Sequence, residues 1–279
     1  MKNLFLTITV FAVSSMMVAC ESSLSKNQIK VISYNIRMCG NPDESDGENC
    51  WNKRKQASLN MLNEEKPTVF GIQEGEPLEI AYLDSFMTGY SHIGVGRDDG
   101  VAKGEMMAIY YSKSEVELLD NGTFWLSDTP TEVSFGWDAA CKRTCTWAFF
   151  KLKKTGDKFL YFNTHFDHKG QQAREESIKL MVAKLKEMAP AGMPVVITAD
   201  FNSTTDNPIF LPLKAVMKDA RTEAPATDNR DTFNGWGKGN SVIDHIFYNN
   251  MKPLSFKVLR DKNYGAPYIS DHYPIVMTA

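Results

Sequence analysis

Several apolar stretches of the sequence end in a residue that can take part in metal or proton chemistry. The run 194–199 is followed by Asp200 and, after Phe201, by Asn202. Short β-branched runs predict buried strands. A single Asp or Asn after a strand would indicate no more than a turn. However, three other predicted strands end at Asn35, Glu74 and His165. Because open α/β sheets bind ligands beyond the carboxyl ends of their strands, these side chains are expected to share one edge.

Two further acidic positions point to a histidine base. Asp244 lies within the apolar segment 243–247, where an unpaired carboxylate would be costly. Asp271 and His272 precede the last predicted strand. An imidazole with an unperturbed pKa of about 6.5 suits general base catalysis, and a buried carboxylate can fix its tautomer. The sequence therefore predicts His272 as the base and Asp244 as its orienting partner.

The oxygen-rich residue set indicates a hard cation. Mg²⁺ prefers oxygen ligands and keeps several waters, so one or two protein carboxylates suffice. We expect Glu74 to bind Mg²⁺ or Mn²⁺, with Asn35 and Asp271 nearby, while His165 helps to polarise a phosphoryl group. The groups expected to position the attacking water and a phosphate oxygen are Asp200 and Asn202. This chemistry is that of a metal-dependent phosphoric ester hydrolase.

Helices and strands of ordinary length must position these groups. Helices are predicted over 51–65, 77–87, 171–188 and, more briefly, 207–216. Strands are predicted over 29–35, 68–73, 90–95, 106–111, 116–119, 146–152, 159–163, 194–199, 241–248, 255–259 and 275–278. The segments 96–104, 120–144 and 228–240 are expected to be loops that carry specificity. One domain of packed sheets with outer helices fits this order.

Six segments in this order resemble the motifs of the endonuclease/exonuclease/phosphatase superfamily. That superfamily includes DNase I-like nucleases, inositol-phosphate phosphatases, neutral sphingomyelinases and deadenylases. The segments are Ser33-Tyr34-Asn35-Ile36-Arg37, Gln73-Glu74, Asn163-Thr164-His165-Phe166-Asp167, Ala199-Asp200-Phe201-Asn202, Ile243-Asp244-His245-Ile246 and Ser270-Asp271-His272-Tyr273-Pro274. The resemblance covers the chain from about Ile29 onward. It implies an α/β (α+β) fold, a DNase I-like four-layer sandwich of two packed mixed β-sheets flanked by helices.

The resemblance also implies a role for each matched residue. Asn35 and Glu74 would bind metal, with Asp271 linked to it, and His165 would contact phosphate. The remaining implied roles are phosphate and water binding by Asp200 and Asn202, orientation by Asp244 and general base catalysis by His272. Two departures from the motifs are His245 in place of Tyr and Ala199 in place of Gly. Neither departure removes a catalytic group.

Three charged residues outside the motifs are also candidates for a role in binding or folding. Arg97 lies in the Gly- and Asp-rich segment 96–100, and it is either a substrate contact or part of a solvated turn. Arg143 precedes a predicted strand and is expected to face an anionic substrate, because arginine matches phosphate geometry. Glu105 begins an apolar strand, where it is interpreted as a charge that discourages aggregation.

The N-terminal residues resemble a bacterial lipoprotein signal. Lys2 is followed by the apolar segment 4–13, which is too short for a stable membrane anchor, and then by small residues before Cys20. An ordinary signal peptide is the alternative. The expected divisions are a signal peptide over 1–19, lipidation at Cys20, a tether over 20–28 and the enzyme domain over 29–279. The protein would be exported and held by its lipid alone on the periplasmic or cell-surface side of a bacterial membrane.

The four remaining cysteines are Cys39, Cys50, Cys141 and Cys145. Export implies an oxidising compartment, and four cysteines allow three pairings. The local pairs would be Cys39–Cys50 and Cys141–Cys145. Structural disulfides or inert thiols are favoured over a metal site, and the pairing is left open.

Composition restricts the substrate. The 279 residues are 43% hydrophobic and 23% charged, as in soluble globular proteins, and the net charge is −3. This balance disfavours long nucleic acid as a partner. The expected substrate is therefore a phosphate-ester small molecule or a lipid headgroup. The protein is expected to be a monomer. The alternatives are a secreted DNase- or RNase-type nuclease and a non-catalytic glycan-binding lipoprotein.

Overall fold

The computed structural model describes residues 28–279, so Cys20 and the expected signal peptide over 1–19 lie outside the described residues. The described chain forms two six-stranded sheets. The strands in chain order are β1 (Lys30–Asn35), β2 (Val69–Gln73), β3 (Tyr90–Ile93), β4 (Ile109–Ser112), β5 (Val116–Trp125), β6 (Thr144–Leu152), β7 (Lys158–His165), β8 (Val195–Asp200), β9 (Lys218–Asp219), β10 (Asp244–Asn249), β11 (Ser255–Val258) and β12 (Ile275–Thr278).

Helices cover the outer faces of both sheets. The long helices are α1 (Trp51–Glu65), α2 (Pro77–Phe86) and α3 (Gln171–Met188), and the short ones are α4 (Leu211–Lys214) and α5 (Ala220–Glu223). Single 3₁₀ turns occur at Gly47–Asn49, Pro208–Phe210 and Gly235–Gly237. In the described part of the chain, no helix combines the length and the apolar character needed to cross a membrane.

The strand order is β11-β12-β1-β2-β4-β3 in the first sheet and β5-β6-β7-β8-β10-β9 in the second. Three apolar clusters define the layers. One lies between α1, α2 and the first sheet, a second lies between the two sheets, and a third lies between the second sheet and α3. The predicted four-layer sandwich of two mixed sheets is confirmed.

Strand β1 shows how the sequence serves two layers at once. Its alternate residues Ile32 and Tyr34 belong to the cluster under the helices, whereas Val31 belongs to the cluster between the sheets. The strand is therefore buried on both faces. Successive strand residues point to opposite faces, so this alternation fixes the register of β1.

A polar bridge joins the two sheets beneath the chemistry-bearing strand ends. The Asn163 amide on β7 donates to the carbonyls of Ile72 (2.7 Å) on β2 and of Ala108 (2.9 Å) just before β4, and it accepts from Gln73 (2.7 Å). Gly71 makes room for it, since a Cβ there would lie 2.3 Å from the Asn163 amide oxygen. The bridge locks β2 against β7 and therefore fixes the spacing between the two halves of the site.

Most predicted elements are confirmed, whereas β9 and α5 were not predicted and several elements differ in extent, three of them strands near the site or its loops. Strand β4 begins at Ile109 rather than at residue 106, because Met106 instead forms isolated bridges with Gly75 and Gly96. Strand β5 continues to Trp125 into the expected loop 120–144, since it pairs with β6 along its whole length. Strand β10 begins at Asp244 rather than at residue 241.

Candidate active site

The strand register brings the predicted residues to one end of the sandwich. In the first sheet, Asn35 of β1 lies opposite Gln73, next to Glu74, on the parallel strand β2. In the second sheet, Asp200 of β8 lies opposite both His165 of parallel β7 and Asp244 of antiparallel β10. These strand ends surround a cavity of about 660 Å³. The predicted residues in its lining are Glu74, Arg97, Arg143, His165, Asp200, Asn202, Asp271 and His272. Asn35 and Asp244 are buried behind them.

The carboxylate of Asp200 is the centre of this arrangement. Its Oδ2 accepts a hydrogen bond from Asn35 Nδ2 (3.0 Å) and lies 3.5 Å from His165 Nε2 and 3.7 Å from His272 Nε2. Burial, followed by the nearby Asp244 carboxylate, raises the pKa of Asp200 to about 7. One buried oxygen therefore links both histidines to the first sheet.

His272 and Asp244 form a buried pair. Nδ1 of His272 lies 2.8 Å from Asp244 Oδ2, which leaves Nε2 facing Asp200 and the cavity. Burial alone would lower the pKa of His272, but the Asp244 and Asp200 carboxylates outweigh it and raise that pKa to about 10. This geometry matches the predicted orientation of a base by a carboxylate.

His165 has the opposite electrostatic environment. Burial, followed by the Arg143 guanidinium, lowers the pKa of His165 well below its usual value. Its Nε2 lies 2.9 Å from Nδ2 of Asn202. Asn202 is held in turn by its own N–H, which donates to Asp200 Oδ1 at 2.9 Å.

Glu74 and Asp271 supply the oxygen donors on the other side of the cavity. Both carboxylates lie 3.8 Å from the Arg37 guanidinium. Asn35 donates to Glu74 (2.9 Å), while its own Oδ1 accepts from the Arg37 N–H (2.9 Å), so it meets the carboxylates as a donor. The role of Asn35 as a metal ligand stays a prediction.

The donor set fits a hard divalent cation. Glu74, His165 and Asp200 each offer an atom within 4.8 Å of the others. Burial raises the pKa of Asp271, with a further contribution from Glu74, and burial also raises the pKa of Asp200. The site thus concentrates more carboxylate than its neighbours neutralise, and a cation with oxygen preference would relieve this excess.

Three non-glycine residues of the site have left-handed backbone. They are Arg37 (φ 61°), Glu74 (φ 61°) and Asn202 (φ 50°). Such residues are uncommon and persist where the surroundings hold them. Each of them follows a strand that ends at the cavity, so the strained turns aim these side chains at one another.

Arg97 and Arg143 lie on the cavity wall as expected, and Glu105 lies between them. Glu105 Oε2 is 2.5 Å from Arg97 Nη1 and 3.9 Å from Arg143 Nη1. Arg143 also lies 3.3 Å from the buried Asp167 carboxylate. The interpretation of Glu105 as an aggregation guard was therefore wrong. A charge just before an apolar strand marked Glu105 as unusual in the sequence. Nothing local to that position indicated that Arg97 and Arg143 would be its partners.

Comparison with known proteins agrees with this geometry. Residues 32–272 match the sequence profile of the Endonuclease/Exonuclease/phosphatase family. The chain belongs to this family. As the family name states, its members are nucleases and phosphatases.

Structures from this family superpose closely on the chain. An endonuclease/exonuclease/phosphatase from Bacteroides vulgatus is 34% identical, with a TM-score of 0.84, over 90% of this chain and 98% of the other. A mannosyl-6-phosphatase of Bacteroides thetaiotaomicron is also 34% identical, with a TM-score of 0.83, over 89% and 98% of the two chains. An uncharacterized protein of Acanthamoeba polyphaga mimivirus is 25% identical over 250 residues, which are 81% of this chain and 91% of that protein.

Arg54, which holds the backbone next to the site, was not identified from the sequence. It lies on α1, is 1% exposed, and donates to the backbone carbonyls of Ile36, Arg37 (2.5 Å), Asn49 (3.0 Å) and Ile269 (3.3 Å). These carbonyls adjoin the segments that carry Asn35 and Asp271. In the sequence, Arg54 looks like one of several charged positions on an amphipathic helix.

The cysteines of this family member are free thiols in the described chain. Of the two interpretations left open, the disulfide one is therefore wrong for Cys39, Cys50, Cys141 and Cys145. Cys145 shows the reason, since its side chain is packed in the apolar cluster beneath α3. Cys141 instead lines the cavity.

Proposed function

We propose that the protein is a metal-dependent phosphoesterase that hydrolyses a small phosphate ester by attack of water. The observation that carries this proposal is the meeting of the His272–Asp244 pair with Asp200, His165 and Glu74 at one cavity. A base, an orienting carboxylate, phosphate-contacting groups and oxygen ligands are the parts that such a hydrolysis needs.

The residues would divide the chemistry as follows. Nε2 of His272 takes a proton from the attacking water, while Asp244 holds Nδ1–H and stabilises the imidazolium. His165 and Asn202 contact the phosphate oxygens, and Asp200 positions the water. Glu74 and Asp271, with Asn35, would hold Mg²⁺ or Mn²⁺. When bound, the ion would offset the clustered carboxylates and polarise a phosphoryl oxygen.

The shape and charge of the site favour a small substrate. The cavity of about 660 Å³ suits a compact molecule. The net charge of −3 offers no general attraction for a nucleic-acid backbone. The 34% identity to a mannosyl-6-phosphatase supports a sugar phosphate as the first candidate. A lipid headgroup and a phosphodiester are further members of the panel to be tested.

The test is phosphate release from mannose 6-phosphate, inositol phosphates, nucleotides and a diester, each with Mg²⁺, Mn²⁺ or a chelator. His272→Ala should lower kcat by roughly 100-fold or more. The matched control is His92→Ala, which removes another Asp-paired histidine (2.9 Å from Asp84) that does not line the cavity. It should leave turnover unchanged.

Each remaining outcome overturns the proposal in a different way. Equal turnover after chelation would show that hydrolysis needs no metal ion. Equal turnover in His272→Ala would show that His272 is not the general base. Degradation of plasmid DNA at moderate salt, without turnover of small esters, would favour a nuclease. Tight glycan binding without turnover would favour a binding protein.

We also propose that the protein is exported and lipidated at Cys20. The basic start, the short apolar segment 4–13 and the small residues before Cys20 support this proposal. In a bacterial host, the protein should take up a labelled fatty acid and remain with the membrane fraction. Cys20→Ser should lose both properties. Equal labelling of the two proteins would overturn the proposal.

A further inference from the structure

The two members of the His272–Asp244 pair belong to different sheets. Asp244 begins β10 in the second sheet, whereas His272 lies just before β12 in the first. Their side chains meet at 2.8 Å, from His272 Nδ1 to Asp244 Oδ2. Because strand pairing does not join the two sheets, the register of the strands does not fix this distance. Another contact is needed to hold the two backbones together.

Thr232 contacts both backbones. It lies in the loop between α5 and β10 and is fully buried. Its Oγ1 accepts hydrogen bonds from the backbone N–H groups of Ile243 and Asp244, at 3.1 Å each. Its carbonyl accepts from the N–H of Tyr273, the residue after His272, at 2.6 Å. Thr232 therefore joins the two halves of the pair through their backbones.

The hydroxyl of Thr232 takes the place of a strand neighbour at this point of β10. Strand β8 pairs with one edge of β10 from Asp244 onward, while β9 pairs with the other edge at Phe247 and Tyr248. The N–H of Asp244 thus finds its acceptor in a side chain, before β9 is reached. Buried backbone N–H groups without an acceptor are rare because they cost free energy. Loss of this hydroxyl should therefore displace the start of β10.

The His272 side of the pair has a further anchor that does not use this hydroxyl. The N–H of Asn234 donates to the carbonyl of Asp271 (2.8 Å), and its side-chain amide donates to the carbonyl of Ser270 (3.1 Å). Removing the Thr232 hydroxyl would thus release the orienting carboxylate and leave the imidazole in place. The two halves of the pair would move apart, although no group of the pair itself had changed.

We propose that the Thr232 hydroxyl is a positioning group that holds the carboxylate of Asp244 at hydrogen-bond distance from His272. Thr232 is buried and is not among the residues that line the cavity, so it acts through the pair rather than on the substrate. This inference rests on the proposed phosphoesterase function, in which the pair supplies the general base.

The test compares Thr232→Val, which keeps the side-chain shape and loses the hydroxyl, with Thr232→Ser, which keeps the hydroxyl. Both constants are measured with the ester of the panel that the wild type turns over fastest. In Thr232→Val, kcat should fall by about 10- to 100-fold while KM changes less than about twofold, because displacement of a catalytic group affects the transition state. Thr232→Ser should stay within about threefold of the wild type, since its hydroxyl can accept the same bonds.

The matched control is Thr68→Val. Thr68 is buried, and its Oγ1 accepts from the N–H of Lys30 (3.2 Å) and donates to Glu115 (2.7 Å), at the end of β2 away from Glu74. Both valine variants should lower the melting temperature by about 2–4 °C, as expected for lost hydrogen bonds in a chain of this size. Thr68→Val should leave kcat unchanged.

A double variant separates positioning from a general effect on the fold. In His272→Ala the pair is already broken, so adding Thr232→Val should lower kcat by less than about a further twofold. A further loss as large as in the single variant would overturn the inference. Unchanged kcat in Thr232→Val, or an equal loss in Thr232→Ser or Thr68→Val, would also overturn it.

Two remaining outcomes concern folding and the proposed function. A Thr232→Val protein that does not fold would overturn the inference, because the hydroxyl would then serve the fold as a whole. No turnover of any ester by the folded wild type, or full turnover in His272→Ala, would overturn the proposed function itself, and this inference with it.

Discussion

Replacing Arg54 tests whether the two catalytic segments depend on one buried cation. Its guanidinium donates to four backbone carbonyls and lies 3.6 Å from the buried Glu79 carboxylate. Arg54→Met keeps most of the volume but removes every donor and leaves Glu79 without its cation. Removing one partner of a buried ion pair destabilises proteins by about 3–5 kcal/mol. We expect a loss of that size, which is a large part of a typical stability of about 5–15 kcal/mol.

The activity of Arg54→Met should fall for a separate reason. The released carbonyls of Ile36 and Ile269 lie within three residues of Asn35 and His272, so both segments lose their common anchor. Displacements of about 1 Å can lower a rate by roughly 100-fold. Turnover of the fully folded variant should therefore be about 10- to 100-fold below that of the wild type.

Urea unfolding measures the first effect, and kcat below the unfolding transition measures the second. Lys53→Met is the control, because it removes an exposed cation from the same helix and should leave the unfolding midpoint and kcat unchanged. Arg54→Lys should recover little, since an ammonium group cannot reach four divergent carbonyls at once. A loss of stability below about 1 kcal/mol in Arg54→Met would refute the reasoning, because a single neutral hydrogen bond contributes as much.

Three further predictions follow from individual contacts. Asp244→Asn keeps the contact to His272 but removes the charge, so kcat should fall by about 100- to 10,000-fold with little change in KM. Steady-state kinetics measure both constants, and a variant with a raised KM and a nearly unchanged kcat would contradict this prediction. Gly71→Ala places a Cβ against the Asn163 amide and should cost about 1–3 kcal/mol in urea unfolding, whereas Gly89→Ala, with open space around it, should cost little. Burial, with a contribution from Glu74, raises the pKa of Glu105 from 4.5 to about 7 in the metal-free protein. The folded chain therefore holds a proton that the unfolded chain releases, so stability should decrease as pH rises from about 4.5 to about 7, and thermal melts of Glu105→Gln should show a smaller decrease.

Local patterns identified the strands and the groups at their ends. The run before Asp200 and the alternation before Asn35 each belong to one strand, and parallel pairing brings such ends together. The positions that local patterns did not explain depend on partners far along the chain. Arg54 bonds to a carbonyl 215 residues away, and the Asn163 amide bonds to one 91 residues away. No periodicity in the sequence records such contacts.

The loop of residues 96–105 shows the same limit at the site itself. The glycines and aspartates of this loop indicated a turn, and Asp99 holds that turn in place. The contact of Glu105 with Arg143, which precedes a strand of the second sheet, could not be read from the loop sequence. The length of β5 was underestimated for a related reason. Residues 120–125 are polar or mixed, and they are strand because β6 pairs with them.

The two histidines of the site show how one cavity can assign different chemistry to the same residue type. His165 is buried beside Arg143, so its pKa is lowered and it stays a neutral ring that offers one N–H and one lone pair. His272 is equally buried, but Asp244 and Asp200 face its two nitrogens and raise its pKa. Protonation therefore costs little at His272 and much at His165. With a pKa of about 10, His272 holds a proton near neutral pH and must release it before it can act as the proposed base. His165, with its lowered pKa, is restricted to hydrogen bonding. This division follows from the charged residues that lie beside each ring.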